Sequence, residues 1–470
     1  MEFNYFIPCD CVTSICNVSN YSLAFHISLS DKSHKNCLFH IYMSNKFISN
    51  IKSFVYLKQL KCNLSQSQHD ILQLTNLLRL NLLRNTSITS IYSLTQLESL
   101  DCNQQLTDIS NLISLKSLSL NANNNISNIE LLTNLTFLDL YQNNKIKYIN
   151  SLIDLECLLF GENDSISSIT NLTKLELLIF STNNRISSID YLINLKFLHL
   201  SGNEIITDIN ILTNLQTLSL GFNDIVYDIS HLIKLQNLFL EQNRQITNIS
   251  DLINLTNLQL SHNSNISCIS SLINLRTLTL NDNIRNIFTL TALTKLKIGC
   301  NTKPFNLISL INLIELEFDS NENILHIPFL PVLSKLNLGR NRKIKCINHL
   351  TTLTQLILSH NNRIQDVNSL VNLRSLDLCD NDVISDISSL TNLTRLTLGK
   401  NNKIFHINTL IKLIYCDLQE NNKIYDISHC SQMITRKQCE LKINENYQNR
   451  NHYYVFVAAQ FIFQLCIWLW

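Results

Sequence analysis

The chain has 470 residues, a formal net charge of +1 and only 16% charged residues. That balance excludes a generally basic nucleic-acid binder and a surface drawn by charge to anionic membranes. Six Gly and four Pro exclude long flexible linkers, and the 15 Cys are too scattered to read as a disulfide framework.

Residues 1–50 are irregular and read as an N-terminal flank or degenerate cap. Cys9, Cys11, Cys16 and Cys37, with His26, His34 and His40, bring metal-ligand residue types together. Their spacing matches no closed zinc pattern, so no metal site is expected. The N-terminus has an acid at position 2 and no basic segment, which predicts no secretory signal. Cys62, Cys102 and Cys416 stand where an apolar core residue is required, as small hydrophobes do in a reducing compartment. A cytoplasmic protein is expected, and the N-x-S/T matches are by-products of an Asn-rich repeat.

From residue 51 to 433 a period of 20 residues governs the chain. Leu132, Leu135, Leu138, Leu140, Asn143, Ile146 and Ile149 recur 20 residues later as Leu152, Leu155, Leu158, Phe160, Asn163, Ile166 and Ile169. The unit reads L-x-x-L-x-x-L-x-L-x-x-N-x-x-I-x-x-I-x-x and occurs about 19 times. Two steps are 18 residues long, and the sequence alone puts them at Gln105 to Asn123 and Asn283 to Asn301. A strict period of this size is the signature of a solenoid. In L-x-L the alternation is period two, which predicts a short strand with both Leu inward. The I-x-x-I-x-x-L return has period three, which suits 3₁₀ turns. The Asn amide is placed to satisfy backbone groups of its own and the next unit.

The repeat resembles the leucine-rich-repeat family over about residues 54–433. Its Leu/Ile spacing and phrases such as LTNL and DIS are similar to the internalin type and to the repeats of a phosphatase-1 regulatory subunit. The resemblance implies an α/β-type leucine-rich-repeat solenoid. This is a right-handed superhelix with a parallel β-sheet on its concave face and short 3₁₀ or irregular returns on its convex face. It also implies a non-enzymatic protein–protein interaction scaffold, with phosphatase regulation as the sharpest form.

The strand residues between the core leucines point into the concave face. Most are polar, but one run is apolar: Phe137, Cys157, Leu177 and Phe197 in one column, and Leu159, Ile179 and His199 beside Asp139 in the next. Tyr141 lies at the rim, with Phe222 and Phe239 further along. A contiguous apolar patch commonly marks a contact site, so these residues are the candidate partner-binding set. Drift in a loose repeat, or self-association, is the alternative. His199, His262 and His360 are expected to be solvated. Lys295, Lys297, Glu315, Glu317, Asp319, Lys335 and Arg340 form a mixed-charge set expected to pair internally or stay solvated.

Pro304, Pro328 and Pro331 predict a local irregularity. Residues 434–452 are a polar linker. Tyr453 to Trp470 is an uncharged hydrophobic tail with both tryptophans. An alternative expectation is therefore a membrane tail-anchored recognition protein displaying the solenoid. No H-E-x-x-H, G-x-S-x-G or phosphate-binding glycine loop occurs. No catalytic residue, cofactor, small-molecule substrate or nucleic-acid partner is expected.

Overall fold

The computed structural model describes residues 40–43, 57–62, 68–83, 85–180, 185–263, 265–280, 284, 286–299, 306–318, 323–418, 421, 423–424 and 432–434. The zinc-like cysteines, the polar linker apart from Ile434, which ends a strand, and Tyr453 to Trp470 lie outside the described residues. Two compact units result, Met1–Leu255 and Thr256–Trp470.

In the first unit each repeat contributes a strand of three or four residues, including Phe137–Asp139, Cys157–Leu159, Leu177–Ile179, Phe197–His199, Thr217–Ser219 and Asn237–Phe239. Neighbouring strands pair in parallel, with every residue opposite its equivalent one repeat away. Phe137 faces Cys157, Leu138 faces Leu158 and Asp139 faces Leu159. The same register runs from Gln59–Cys62 to Asn237–Phe239. One inward residue per strand explains both the shortness of the strands and the register, because a slip by one would expose every core leucine.

The core is the stack of Leu and Ile from the period. Leu132, Leu135, Leu138 and Leu140 are 0% exposed, as are their equivalents Leu152, Leu155, Leu158 and Phe160. Phe160 and Phe180 occupy successive units and stack with centroids 5.3 Å apart and planes 10° from parallel. Cys102 is buried as the sequence predicts.

The returns consist of turns. Leu152 N donates to Ile149 O at 3.0 Å, and Leu155 N to Leu152 O at 3.1 Å, so the period-three spacing does make 3₁₀-type turns. Among the described residues the one helix is Gln68–Leu72. The aspartate of the DIS phrase, and of its variant DIN, opens the return: Asp228 Oδ1 accepts from Ser230 N, and Asp208 Oδ1 from Asn210 N, both at 2.9 Å.

The repeat Asn forms a buried ladder. Asn143 Oδ1 accepts from Lys145 N and Ile146 N, both at 3.0 Å, while its Nδ2 donates to Asn123 O in the preceding unit. Asn223 Nδ2 donates to Asn203 O at 3.1 Å. The amide thus joins each unit to the one before it, where the sequence suggested the one after. In the first short unit the ladder residue is Asn103, not Gln105. Asn103 is 2% exposed, and its Oδ1 accepts from Gln105 N and Leu106 N. The two missing residues therefore fall in the turn after the strand, and the return keeps its normal spacing.

A second Asn row, in the LTNL phrase, runs along the returns. Asn134 Nδ2 donates to Ile113 O at 3.0 Å and Asn214 Nδ2 to Ile193 O at 3.0 Å. Residues just before the ladder Asn adopt positive φ, including Gln142 (54°), Glu162 (56°) and Phe222 (56°). Gly is free of strain there, and Gly202 takes the position at 68°.

The second unit repeats this plan from Asn257–Gln259 to Gln432–Ile434. Its strands Thr277–Leu280, Lys295–Ile298 and Glu315–Phe318 are one residue longer. Glu315 faces Lys335 in unbroken register across Pro328 and Pro331. Pro304 lies outside the described residues.

Candidate partner-binding face

Alternation in each strand of the first unit turns one residue inward and its two neighbours to the opposite face of the sheet. Leu138, Leu158, Leu178 and Leu198 are inward and 0% exposed. The candidate residues Phe137, Cys157, Leu177 and Phe197 therefore form one column on the outer side of the sheet, and Leu159, Ile179 and His199 the next. The register brings these seven together as two adjacent rows. Tyr141 lies two residues beyond Asp139 at the rim. Phe239 continues the second row beyond Ser219. Phe222 is 46% exposed at a rim turn and stands apart from the rows.

The rows are less open than their composition suggests. Phe137, Cys157, Leu159 and Ile179 are half-buried, but Leu177, Phe197 and His199 are 6–7% exposed. At the short distance between paired strands, large side chains in a row cover one another. His199 was expected to be solvated. It is buried instead, and this desolvation lowers its pKa to about 4, so the ring is neutral at pH 7. His262 and His360 are exposed, and His360 Nδ1 lies 3.4 Å from Asp380 Oδ2.

The polar end of the second row has its own order. Asn81 donates its amide to Asp101, and Ser119 Oγ donates to Asp139 Oδ2 at 3.0 Å. Asp139 Oδ1 also accepts from Tyr141 N at 3.0 Å. Burial raises the Asp139 pKa despite these bonds, and burial likewise raises that of Asp101. At the rim the Tyr141 hydroxyl donates to Glu162 Oε1 at 2.9 Å, and Gln142 Nε2 to Glu162 Oε2 at 2.7 Å. Burial and the Glu162 carboxylate push the Tyr141 phenol up to about 12. Sequence reasoning noted Asp139 only as a neighbour of the apolar run. The signal available was the alternation Asn81, Asp101, Ser119, Asp139 in one column.

In the second unit Lys295, Lys297, Glu315, Glu317 and Lys335 of the mixed-charge set pair, and Asp319 lies outside the described residues. Lys295 Nζ lies 2.8 Å from Glu315 Oε1, Lys297 Nζ 3.0 Å from Glu317 Oε1, and Lys335 Nζ 3.9 Å from Glu315 Oε2. A small cavity of about 220 Å³ lies on the returns, lined by Lys345, Cys346, Asn348, Arg363, Gln365 and Asp366. Among the described residues no group of three or more His, Cys, Asp or Glu is placed to hold a metal ion.

Twenty-residue units, one parallel strand each, a buried Asn ladder and 3₁₀-type returns define a leucine-rich-repeat solenoid. The chain has the leucine-rich-repeat fold, and solved structures of leucine-rich-repeat proteins are similar to it. A complex of TLR13 with ssRNA13 matches at 24% identity and a TM-score of 0.53, covering 86% of this chain and 66% of that one. The internalin inlF from Listeria monocytogenes matches at 27% identity and a TM-score of 0.41, over 65% of this chain and 87% of that one. The functional domain of InlJ from the same organism matches at 22% identity and a TM-score of 0.46, over 75% of each chain. No family model matches, and no curated protein matches.

Proposed function

We propose that the protein is a non-enzymatic interaction scaffold that binds a protein partner on the sheet face of its first unit. The observation that carries this reading is the contiguous apolar patch of Phe137 and Cys157 in one row and Leu159 and Ile179 in the next, half-buried on a face whose other positions are mostly polar. The carboxylates of Asp101 and Asp139 beside it would repel phosphate, which argues for protein over nucleic acid, although the TLR13 structure holds RNA. Regulation of a phosphatase is a finer version supported by the repeat resemblance alone. It is tested by the effect of the chain on a purified phosphatase-1 catalytic subunit.

The test of the main reading is quantitative affinity capture with the wild-type chain and with the triple variant Phe137→Ser, Leu159→Ser, Ile179→Ser. Loss of specific partners with an unchanged melting curve supports the site. Identical capture places the binding elsewhere.

A second reading is favoured by Tyr453 to Trp470, 18 uncharged residues with aromatic residues at both ends. At 1.5 Å per residue a helix of this length spans about 27 Å, close to a bilayer core of roughly 30 Å. The tail would then anchor a cytosolic solenoid. Among the described residues no helix is long and apolar enough to cross a membrane, so the anchor rests on the tail alone. The full chain should resist carbonate extraction from membranes, and a chain ending at Asn451 should be released. Recovery of the full chain in the soluble fraction would end the anchor reading.

A further inference from the structure

From Ser99 onward the strands of the first unit, and the rim that follows each of them, carry charge of one sign, whereas the earlier strands hold Lys61 and Arg79. Between Ser99 and Gln242 these strand and rim positions include Asp101, Asp139, Glu162 and Glu241, and no Lys or Arg. The net charge of the whole chain is +1, so the bias belongs to this face. Asp139 and Glu162 are held by neutral donors: the Ser119 hydroxyl and Tyr141 amide in one case, the Tyr141 phenol and Gln142 amide in the other. The sheet face of the second unit is different, because there each carboxylate of Glu315 and Glu317 has its own lysine.

Next to Asp139 the face changes character abruptly. Asp139 faces Leu159, which faces Ile179, so an anionic end and an apolar strip share one row. A carboxylate at the edge of an apolar strip is poorly solvated, and a cation supplied from outside restores the lost interaction. Burial already raises the Asp139 carboxyl, which fits a group lacking a cationic neighbour.

Resting on the reading of this face as a partner site, we propose that its occupant is an extended protein segment with a Lys or Arg near one end. That cation meets Asp139 and Glu162, and a branched apolar side chain further along lies over Leu159 and Ile179. Spacing sets the pattern. Two strand steps from Asp139 to Ile179 cover roughly 10 Å, and an extended chain rises roughly 3.3 Å per residue. The apolar residue therefore stands three positions from the cation.

The experiment screens a random dodecapeptide library against the full chain. A selected peptide is then synthesised with a fluorescent label, and its affinity is measured by anisotropy. Selected peptides should share Lys or Arg three residues from Leu, Ile or Val. Replacing that cation by norleucine should weaken binding to the wild type by about tenfold, and to Asp139→Asn combined with Glu162→Gln hardly at all. The Asn and Gln replacements each keep one acceptor oxygen, for the Tyr141 amide and the Tyr141 hydroxyl respectively, the Ser119 hydroxyl can accept from the new Asn amide, and melting curves check that the double variant is folded. Norleucine in the peptide probes the same contact without altering the protein. A consensus lacking the cation, an equal norleucine effect on both proteins, or no bound peptide would overturn the inference. The triple-serine capture is read separately. Loss of partner there, without a cationic peptide consensus here, leaves the binding face standing and removes only this description of its occupant.

Discussion

At the scale of single residues, stability rests on side chains that satisfy buried backbone. Asn223 is 0% exposed, and its amide bonds Leu200 O, Asn203 O, Ile225 N and Val226 N. Asn223→Leu leaves these groups unpaired and should destabilise the chain by roughly 1–3 kcal/mol in denaturant unfolding. An unchanged midpoint would remove the ladder from the account. His199 gives a pH signature. Its folded pKa of about 4 lies below the ordinary 6.5 of the unfolded chain. The unfolded state therefore takes up the proton first as pH falls. The contribution of neutral His199 is complete above pH 6.5 and declines as pH falls from 6.5 to about 4, by up to roughly 3 kcal/mol. Asp101 and Asp139 have raised carboxyl pKa values and act with the opposite sign, so the comparison is between wild type and His199→Gln across that window. Parallel stability profiles for the two proteins would mean that the ring is not buried. Backbone conformation supplies another test. Gln242 has a φ of 52°. Gln242→Val, β-branched in a left-handed position, should lose about 1–2 kcal/mol, while Gln242→Gly should change little.

At the scale of one repeat, the first short unit separates two readings of the chain. Counting 20 residues forward from Asn85 puts Gln105 in the ladder slot, whereas counting 20 back from Asn123 puts Asn103 there, and by sequence alone a Gln is an acceptable substitute for Asn. The fold instead deletes the two-residue turn after Cys102 and keeps the three-residue step from Asn103 to Leu106. The step is kept because a side-chain oxygen on Asn103 reaches Gln105 N and Leu106 N at 3.0 and 2.9 Å. Asn103→Leu should therefore destabilise as Asn223→Leu does, and Gln105→Ala should leave the melting temperature within a degree or so. The reverse order would restore the sequence-based slot.

At the scale of the molecule, each repeat packs against its neighbours in sequence, so stability accumulates unit by unit. Removing residues 145–164 from the first unit excises one full period and rejoins equivalent positions. The shortened chain should keep a cooperative transition and its sheet signal in circular dichroism. Removing 145–154 breaks the register, exposes leucines on both sides of the join and should abolish the transition. Comparable melting of the two deletions would contradict a one-dimensional solenoid.

The fold was almost wholly legible in the sequence, because in a solenoid the contacts are local copies of one rule. The period names the neighbours, L-x-L names the inward residues, and period-three spacing names the turn type. The rows Phe137 to Phe197 and Leu159 to His199 were legible for the same reason, since a fixed register aligns residues 20 apart. Their exposure was not legible. Whether Phe197 and His199 are open or covered depends on the sizes of their cross-strand neighbours, and only packed coordinates show that Leu177, Phe197 and His199 are buried. The direction of the Asn amide, back toward the preceding unit, and the pairing of Ser119 with Asp139 were likewise decided by tertiary geometry. The sequence by itself determined which residues stack. The tertiary structure decided which of them meet solvent and which donor each carboxylate finds, because those depend on side-chain directions that a repeat pattern does not encode.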